Sequence, residues 1–426
     1  MKQTVLVLGG GSGQLSLIAG LKEKGIRIVL QDRDEHCPGR VLADEFVPLD
    51  TCDAPGAGNA ALRYKVDAVL TAGTDQPVLA AALAAEKRGC PSLVTPGTAR
   101  ALTDKEVMKA QLDISGIRLP EYRLAGPGDG IEVLKGLRAP LVIKPVDSQG
   151  QRGVVKLESP EDFLKYRDSS LKWSRRKRLI VEEYHSNREI TISGWVYKGK
   201  TLIWAVTDRV TRDFPPHIGL CLAHRYPSAY AASRQKEVAG ITRNCVKALG
   251  IENGPIYFQF LITDSGILVN ETAGRLGGAY EDISLPPVCG NNPVEVLIGG
   301  ALSGSADPMD ARYRAARTAG AFAVPLMFCK EGRVSDFAGV KQIQNFPGVT
   351  SFSYLLKKGT AIGPPRNSVQ RAAYLVIHGE GTVEVNRILK KTWHRINITD
   401  TTGRQLLRNT LGYALNPMLE QTVETD

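Results

Sequence analysis

Cysteine is scarce and unpatterned in this chain. Its seven cysteines (Cys37, Cys52, Cys90, Cys221, Cys245, Cys289 and Cys329) are odd in number, form no CxxC pair and have no histidine at zinc-ligand spacing. That argues against a disulfide framework and a structural zinc site, and it predicts reduced thiols. Long apolar runs are missing as well. The opening strand-like residues 4–8 give way at once to glycines, too short a run for a signal peptide or a membrane span, so a cytoplasmic protein with no membrane partner is expected. There is no internal repeat and no low-complexity tract. Positive charge is in excess, with a net +10 and a pI near 9.2, yet it gathers into a single run, Arg175-Arg176-Lys177-Arg178. With only Trp173 beside it, that run lacks the aromatic interleaving of a nucleic-acid surface and reads as a solvated helix end or loop.

What is present reads as an α/β protein joined to an α+β one. At 426 residues and 43% hydrophobic content, two or three packed units are expected. Residues 4–8, 12–24 and 26–30 predict strand, helix and strand, with Gly25 as the stop, and residues 67–72, 76–87 and 92–95 repeat the pattern. A parallel sheet covered by helices follows. Thr103 with Glu106 three residues later predicts a capping box opening a helix that ends near Gly116. Strand-like runs at 141–144, 179–183, 190–197, 201–206, 256–262 and 267–271 then suggest a largely antiparallel region. Further strands at 321–328 and 372–378 and a helix at 383–393 mark a C-terminal lobe. The expected units are 1–102, 103–305 and 306–426.

The glycine-rich turn Gly9-Gly10-Gly11-Ser12-Gly13-Gln14 joins a strand to a helix, where backbone amides can receive an anion. It lacks the Gly-Lys-Ser/Thr of a phosphate loop, and Gln14 breaks the dinucleotide fingerprint, although Asp32 stands where that motif has its ribose acid. Two roles stay open: holding part of a small substrate, or letting the backbone bend sharply.

Three further segments carry chemistry together. The strand 141–144 ends in Lys144 and runs into Asp147-Ser148-Gln149-Gly150-Gln151-Arg152-Gly153, a loop whose amides can close over phosphates. Glu182, then the break at Glu183-Tyr184-His185, then Glu189 place acceptors suited to an adenine amine and a ribose diol. Asp264-Ser265-Gly266 signals a hairpin. If Thr263 and Ile267 close it, Gln259 faces Glu271 directly, with Cβ atoms about 4.5–5.5 Å apart, and the pair can bracket a Mg²⁺. Arg275, four residues on, can stabilise a transferring phosphoryl group.

These segments, in this order, resemble the ATP-grasp superfamily, whose fold joins an N-terminal Rossmann-like parallel-sheet domain, a nucleotide-binding domain with a lid, and a C-terminal lobe. The resemblance implies ATP and Mg²⁺ as cofactors, one ion or two, with Mn²⁺ as a substitute. It implies phosphate contacts from Lys105, Lys144 and the loop bearing Ser148, Gly150 and Gly153. It implies nucleoside contacts from Glu182, Glu183, His185 and Glu189, metal ligands at Gln259 and Glu271, and catalytic roles for Arg275 and Lys144. Gln259 replaces the usual carboxylate, and Ala273 stands where many members have an asparagine ligand. The run Asn270-Glu271-Thr272-Ala273-Gly274-Arg275-Leu276-Gly277-Gly278 is most similar to the L-amino acid ligases and carnosine synthases. The implied reaction activates a carboxylate as an acyl phosphate, which an amine then attacks, releasing ADP and phosphate. Small acid and amine substrates, amino acids among them, and a homodimer are the expected partners. Arg212, His217 and His224 are candidates to grip a carboxylate, and Tyr280 with Glu281 to recognise an amine. The alternatives are a bicarbonate-activating carboxylase of the same superfamily and a nucleotide-binding protein whose metal site has decayed.

Overall fold

The computed structural model describes residues 2–415; Met1 and residues 416–426, the end of the expected C-terminal lobe, lie outside the described residues. Thr4–Leu8, buried at every position, forms an inner strand of a four-stranded parallel sheet in the order Glu45–Val47, Arg27–Gln31, Thr4–Leu8, Ala68–Leu70. Side chains alternate between its faces. Val5 and Val7 pack with Leu17, Ile18 and Leu21 of helix Leu15–Glu23, whereas Leu6 and Leu8 pack with alanines of Ala54–Arg63 and Pro77–Arg88. Residues 92–95 do not form the expected strand. Thr95 instead accepts a hydrogen bond from Thr98 N (3.2 Å) and caps the short helix Pro96–Ala101, so the sheet takes its fourth strand from Glu45–Val47.

Two antiparallel sheets follow. The smaller has the order Tyr122–Ala125, Leu179–Glu183, Leu141–Pro145, Val155–Leu157. The larger has eight strands: Gly266–Ala273, Asn253–Thr263, Arg188–Tyr197, Lys200–Phe214, His217–Tyr226, Ala321–Met327, Ala373–Gly379 and Val349–Tyr354, in that order. It therefore runs without a break through the boundary expected at residue 305, because Ala321–Met327 pairs with His217–Tyr226. Helix Thr382–Trp393 covers its C-terminal end with Val385, Ile388 and Leu389 in the core. No helix among the described residues is long and apolar enough to cross a membrane.

The sheets meet where three glycine turns stack backbone on backbone. A Cβ on Gly73 would lie 3.1 Å from Gly13 O, and one on Gly278 only 2.5 Å from Gly73 O. Glycine at both places lets the loop after Ala68–Leu70 and the loop carrying Arg275 touch.

Candidate functional site

Helix Lys105–Ile114 starts one side of the site. Its cap is Asp104, which accepts from Glu106 N (2.9 Å) and Val107 N (3.4 Å). The expected Thr103 cap is corrected: the Thr103 hydroxyl donates backward to Ala99 O (2.9 Å), and the carboxylate is the stronger partner for the helix amides. Lys105 Nζ donates to Ser148 O (2.8 Å) and lies 3.1 Å from Glu271 Oε1. One turn on, wholly buried Lys109 places Nζ 3.2 Å from Glu182 Oε1, without the alignment of a hydrogen bond. Lys144 donates to Glu182 Oε2 (2.8 Å) and Asn270 Oδ1 (2.9 Å).

Three lysines thus face two carboxylates. Burial by itself raises the Glu182 carboxyl, but Lys109 and Lys144 outweigh it and hold the group at about 2. Lys109 moves the other way from its partner's gain. Its own burial, helped by the nearby Lys144 charge, exceeds the attraction of a carboxylate it must share, so its ammonium is pushed down. The corner is short of negative charge, which is what a polyphosphate supplies.

The glycine loop closes over this corner. Asp147 accepts from Ser174 Oγ (2.6 Å), Arg175 N (2.9 Å) and Arg176 N (3.0 Å). The basic run lies in a loop with Arg175, Arg176 and Lys177 exposed, as expected, and two of its arginines also brace the corner: Arg176 pairs with Asp104 and Glu106, and Arg178 with Glu106 (3.1 Å). Gly150 and Gly153 have left-handed φ of +67° and +74°, and a Cβ on Gly153 would meet Pro145 Cγ at 2.8 Å. Gln149 Oε1 accepts from the backbone N of Asp75 and of Gln76, tying the loop to the first sheet.

The hairpin expected to hold a metal has the expected pair by an unexpected route. Thr263 faces Gly266, not Ile267, and that register would misalign Gln259. A bulge at Asn270 adds one residue and brings Gln259 opposite Glu271. The extra residue is the one whose side chain reaches Lys144.

Two cavities adjoin here. The first is lined by Lys105, Lys144, Ser148, Gly150, Glu182, Glu183, His185, Glu189, Gln259 and Glu271, so it gathers the expected nucleotide and metal residues apart from Gly153. Within it the Glu183 carboxylate is forked by Arg138 (3.2 and 3.0 Å). The second, of about 220 Å³, shares Gln149 to Arg152, Gln259 and Glu271 with the first and adds Asp75, Arg209, His224, Tyr257, Arg275 and Arg371. Arg275 Nε donates to Asp75 Oδ1 (2.6 Å), and its guanidinium carbon lies 4.3 Å from the centre of the Tyr257 ring. Arg209 donates to Glu189 Oε2 (2.5 Å). Burial and the charges of Arg209, Arg371 and Arg275 hold His224 neutral, well below the ordinary histidine value of 6.5.

Other candidates fall elsewhere. Arg212 lies over the rings of Phe214 and Tyr413, 5.4 Å from each, and His217 Nδ1 is 3.3 Å from Val154 O. Tyr280 is buried against Tyr374, ring centroids 3.6 Å apart, and lines neither cavity. Glu281 accepts from Gly277 N (2.6 Å) and from Ser193 Oγ. Nor does the N-terminal glycine turn line either cavity. Asp32 accepts from Gly10 N (2.8 Å) and Asp34 N (2.9 Å), and a Cβ on Gly10 would lie 2.5 Å from Cys37 Sγ, which supports the role of a sharp bend. Sequence reasoning missed Asp75, Lys109, Arg209, Asn270 and Arg371. Only Lys109 had a local signal, its place one helical turn from Lys105 on the same face.

Comparison with known proteins agrees with this geometry. Residues 137–282 match a family described as the ATP-grasp domain, and residues 324–400 match L-amino acid ligase C-terminal domain 2. Dapdiamide A synthase of Enterobacter agglomerans is 22% identical over 206 residues, covering 46% of this chain and 47% of that one. N5-carboxyaminoimidazole ribonucleotide synthase of Aquifex aeolicus is 27% identical over 303 residues, covering 65% and 73%. The chain thus spans about half the length of curated relatives such as the first. In fold it is similar to an L-amino acid ligase from Bacillus licheniformis (15% identity, TM-score 0.76, 94% and 98% of the two chains). It is also similar to the biotin carboxylase domain dimer of Hydrogenobacter thermophilus 2-oxoglutarate carboxylase, which holds MgADP and bicarbonate (16%, 0.73, 97% and 93%). Enzymes of this family use ATP with Mg²⁺. Residues 137–282 thus form a domain of the ATP-grasp family, and residues 324–400 match the C-terminal domain of the L-amino acid ligases.

Proposed function

We propose that the protein is an ATP-dependent carboxylate-amine ligase that forms an acyl phosphate and releases ADP and phosphate. The observation that carries this reading is the shared wall. A cavity rich in lysine and one rich in arginine meet at Gln259, Glu271 and the glycine loop, so a phosphoryl group can pass between them without leaving protein.

In this reading Lys105, Lys144 and the loop from Ser148 to Gly150 hold the triphosphate. Glu182, the backbone of Glu183 to His185, and Glu189 hold the nucleoside. Glu182 suits an amine donor because its lysines keep it ionised and accepting. Gln259 and Glu271 would hold Mg²⁺, or Mn²⁺ in its place. Their oxygen donors fit a hard cation, and Asn270 offers a further amide oxygen beside them. When bound, the ion supplies charge neutralisation at phosphate oxygens. A substrate carboxylate in the second cavity attacks the terminal phosphorus. Arg275, fixed by Asp75 and lying over Tyr257, stabilises charge on the transferred group and then on the tetrahedral adduct formed by the amine. Amino acids are the proposed substrates, a homodimer the proposed assembly and the cytoplasm the proposed location.

The test is phosphate release from Mg-ATP with amino acids singly and in pairs and with bicarbonate, products being identified by mass spectrometry. Release that needs two amino acids and yields their condensed mass supports the ligase. Release with bicarbonate alone points to the carboxylase reaction, and nucleotide binding without turnover across a broad panel of acids and amines overturns both.

A further inference from the structure

Lys109 touches neither cavity. It sits on helix Lys105–Ile114 behind Glu182, wholly buried, while Glu182 itself lines the first cavity. Its Nζ stands 3.2 Å from Glu182 Oε1 and 5.8 Å from the centre of the Tyr122 ring. Tyr122 is also the residue paired with Glu182 across the strands Tyr122–Ala125 and Leu179–Glu183, so ring, carboxylate and ammonium enclose one another. Neither Lys109 Nζ nor Glu182 Oε1 has a hydrogen-bond partner among the described residues. A sealed ammonium without an aligned acceptor is costly, and an apolar side chain of the same volume would fill the space without that cost. What the lysine adds there is its charge on Glu182.

The lysines around this carboxylate differ in what else they serve. Lys144 donates to both Glu182 and Asn270 and lines the first cavity, so once it holds phosphate its charge is shared with the phosphate oxygens. Lys105, one turn before Lys109, is engaged with Glu271 and Ser148 O. Burial keeps the Tyr122 hydroxyl protonated, so it adds no charge. Lys109 has no carboxylate but Glu182 among the described residues, and neither solvent nor a ligand in either cavity reaches it. Its charge is the one that nucleotide binding leaves in place.

We infer that Lys109 is a positioning residue for base selectivity: from behind, it keeps Glu182 a hydrogen-bond acceptor when phosphates draw on Lys144, so the site takes the exocyclic amine of adenine and rejects the carbonyl oxygen of guanine. This rests on the nucleoside role proposed for Glu182 and gives a task to a residue that meets no ligand. Without Lys109, burial pushes the Glu182 carboxyl toward its protonated form, whose O–H can donate to a guanine carbonyl.

The experiment is calorimetric titration of the full chain with AMP-PNP and GMP-PNP, each with Mg²⁺, at pH 8 and at pH 6. The wild type should prefer AMP-PNP by about 10²-fold or more, equally at both pH values. Lys109→Met should narrow that preference by about tenfold, and further at pH 6 than at pH 8, while Lys109→Arg, which keeps the charge, retains most of it. Glu182→Gln should narrow it too. Adding Lys109→Met to Glu182→Gln should then leave the ratio of the two affinities within about twofold and raise the thermal midpoint, since the ammonium no longer lacks its carboxylate. A full preference in Lys109→Met overturns the inference. So does a further loss of preference or of stability when Lys109→Met is added to Glu182→Gln, a comparison that decides the matter even where Lys109→Met alone does not fold. If Glu182→Gln keeps the wild-type preference, the nucleoside role of Glu182 fails and the inference with it; if Glu182→Gln loses the preference and Lys109→Met keeps it, the inference alone fails.

Discussion

Glu271 stands between two demands. It is the single carboxylate of the proposed metal pair, and Lys105 lies 3.1 Å from it. Burial raises its carboxyl, but Lys105 more than compensates and keeps it ionised. Replacing Glu271 with Ala should abolish ATP turnover while leaving the circular dichroism spectrum unchanged; near wild-type phosphate release would remove the metal assignment. Asp75 acts through Arg275. Asp75→Asn keeps the shape but removes the charge that anchors the guanidinium, so kcat should fall by about 10²-fold, as for loss of one preorganised donor. The KM for ATP should hold, because Asp75 lies outside the nucleotide cavity. A rise in the ATP KM with kcat intact would place Asp75 in nucleotide binding rather than in positioning. At this scale the sequence was legible where function packs into short motifs. Lys105, Lys144, Glu182 and Glu271 could be picked out because their neighbours repeat a pattern. Asp75 and Arg371 could not: Asp75 sits in a turn whose partner, Arg275, is 200 residues away, and Arg371 comes to the cavity wall from the C-terminal lobe.

Elements show the same division. Continuous apolar runs located Leu141–Pro145, Leu179–Glu183 and Thr4–Leu8 to within a residue, because both faces of those strands are largely buried. The strand expected at 201–206 in fact runs to Phe214, and His217–Tyr226 was not anticipated at all. The reason is functional. Arg209, Thr211, Asp213 and His224 point toward the cavities, and a strand that carries polar site residues inward loses the pattern by which strands are read. The turn of the hairpin was misplaced by one residue, although Gln259 does face Glu271, because the bulge residue Asn270 turns its side chain to Lys144, a residue far off in sequence. Loop packing gives a prediction at this scale. Gly278→Ala pushes a methyl group against the Gly73 carbonyl, which is backbone and cannot swing aside. A loss of about 1–3 kcal/mol is expected in urea unfolding, with loss of activity exceeding the loss of folded protein. A variant as stable and active as the wild type would show that the three glycine turns do not set the position of Arg275.

The whole molecule binds its charges across sheets, and its acid response follows from that. His224 is a base whose folded value is depressed, so the unfolded chain takes up its proton first as pH falls. Its contribution is fully present above the unfolded value near 6.5 and declines as pH drops below it. Glu182 is an acid whose folded value is depressed from 4.5 to about 2. Its contribution is complete above 4.5 and fades as pH falls toward 2, on the order of 3 kcal/mol in all. Unfolding free energy should therefore be level near neutrality and fall in two stages, one beginning near 6.5 and one near 4.5. His224→Gln should flatten the first stage and leave the second. Glu182→Gln should remove the second, and it should also lower stability at pH 7, because Lys109 and Lys144 lose the carboxylate between them. Urea titrations of the three proteins from pH 7.5 to 3 decide it. If His224→Gln keeps the full decline between 6.5 and 4.5, the neutral imidazole is not what the cluster of arginines enforces, and another buried base such as His378 governs that stage.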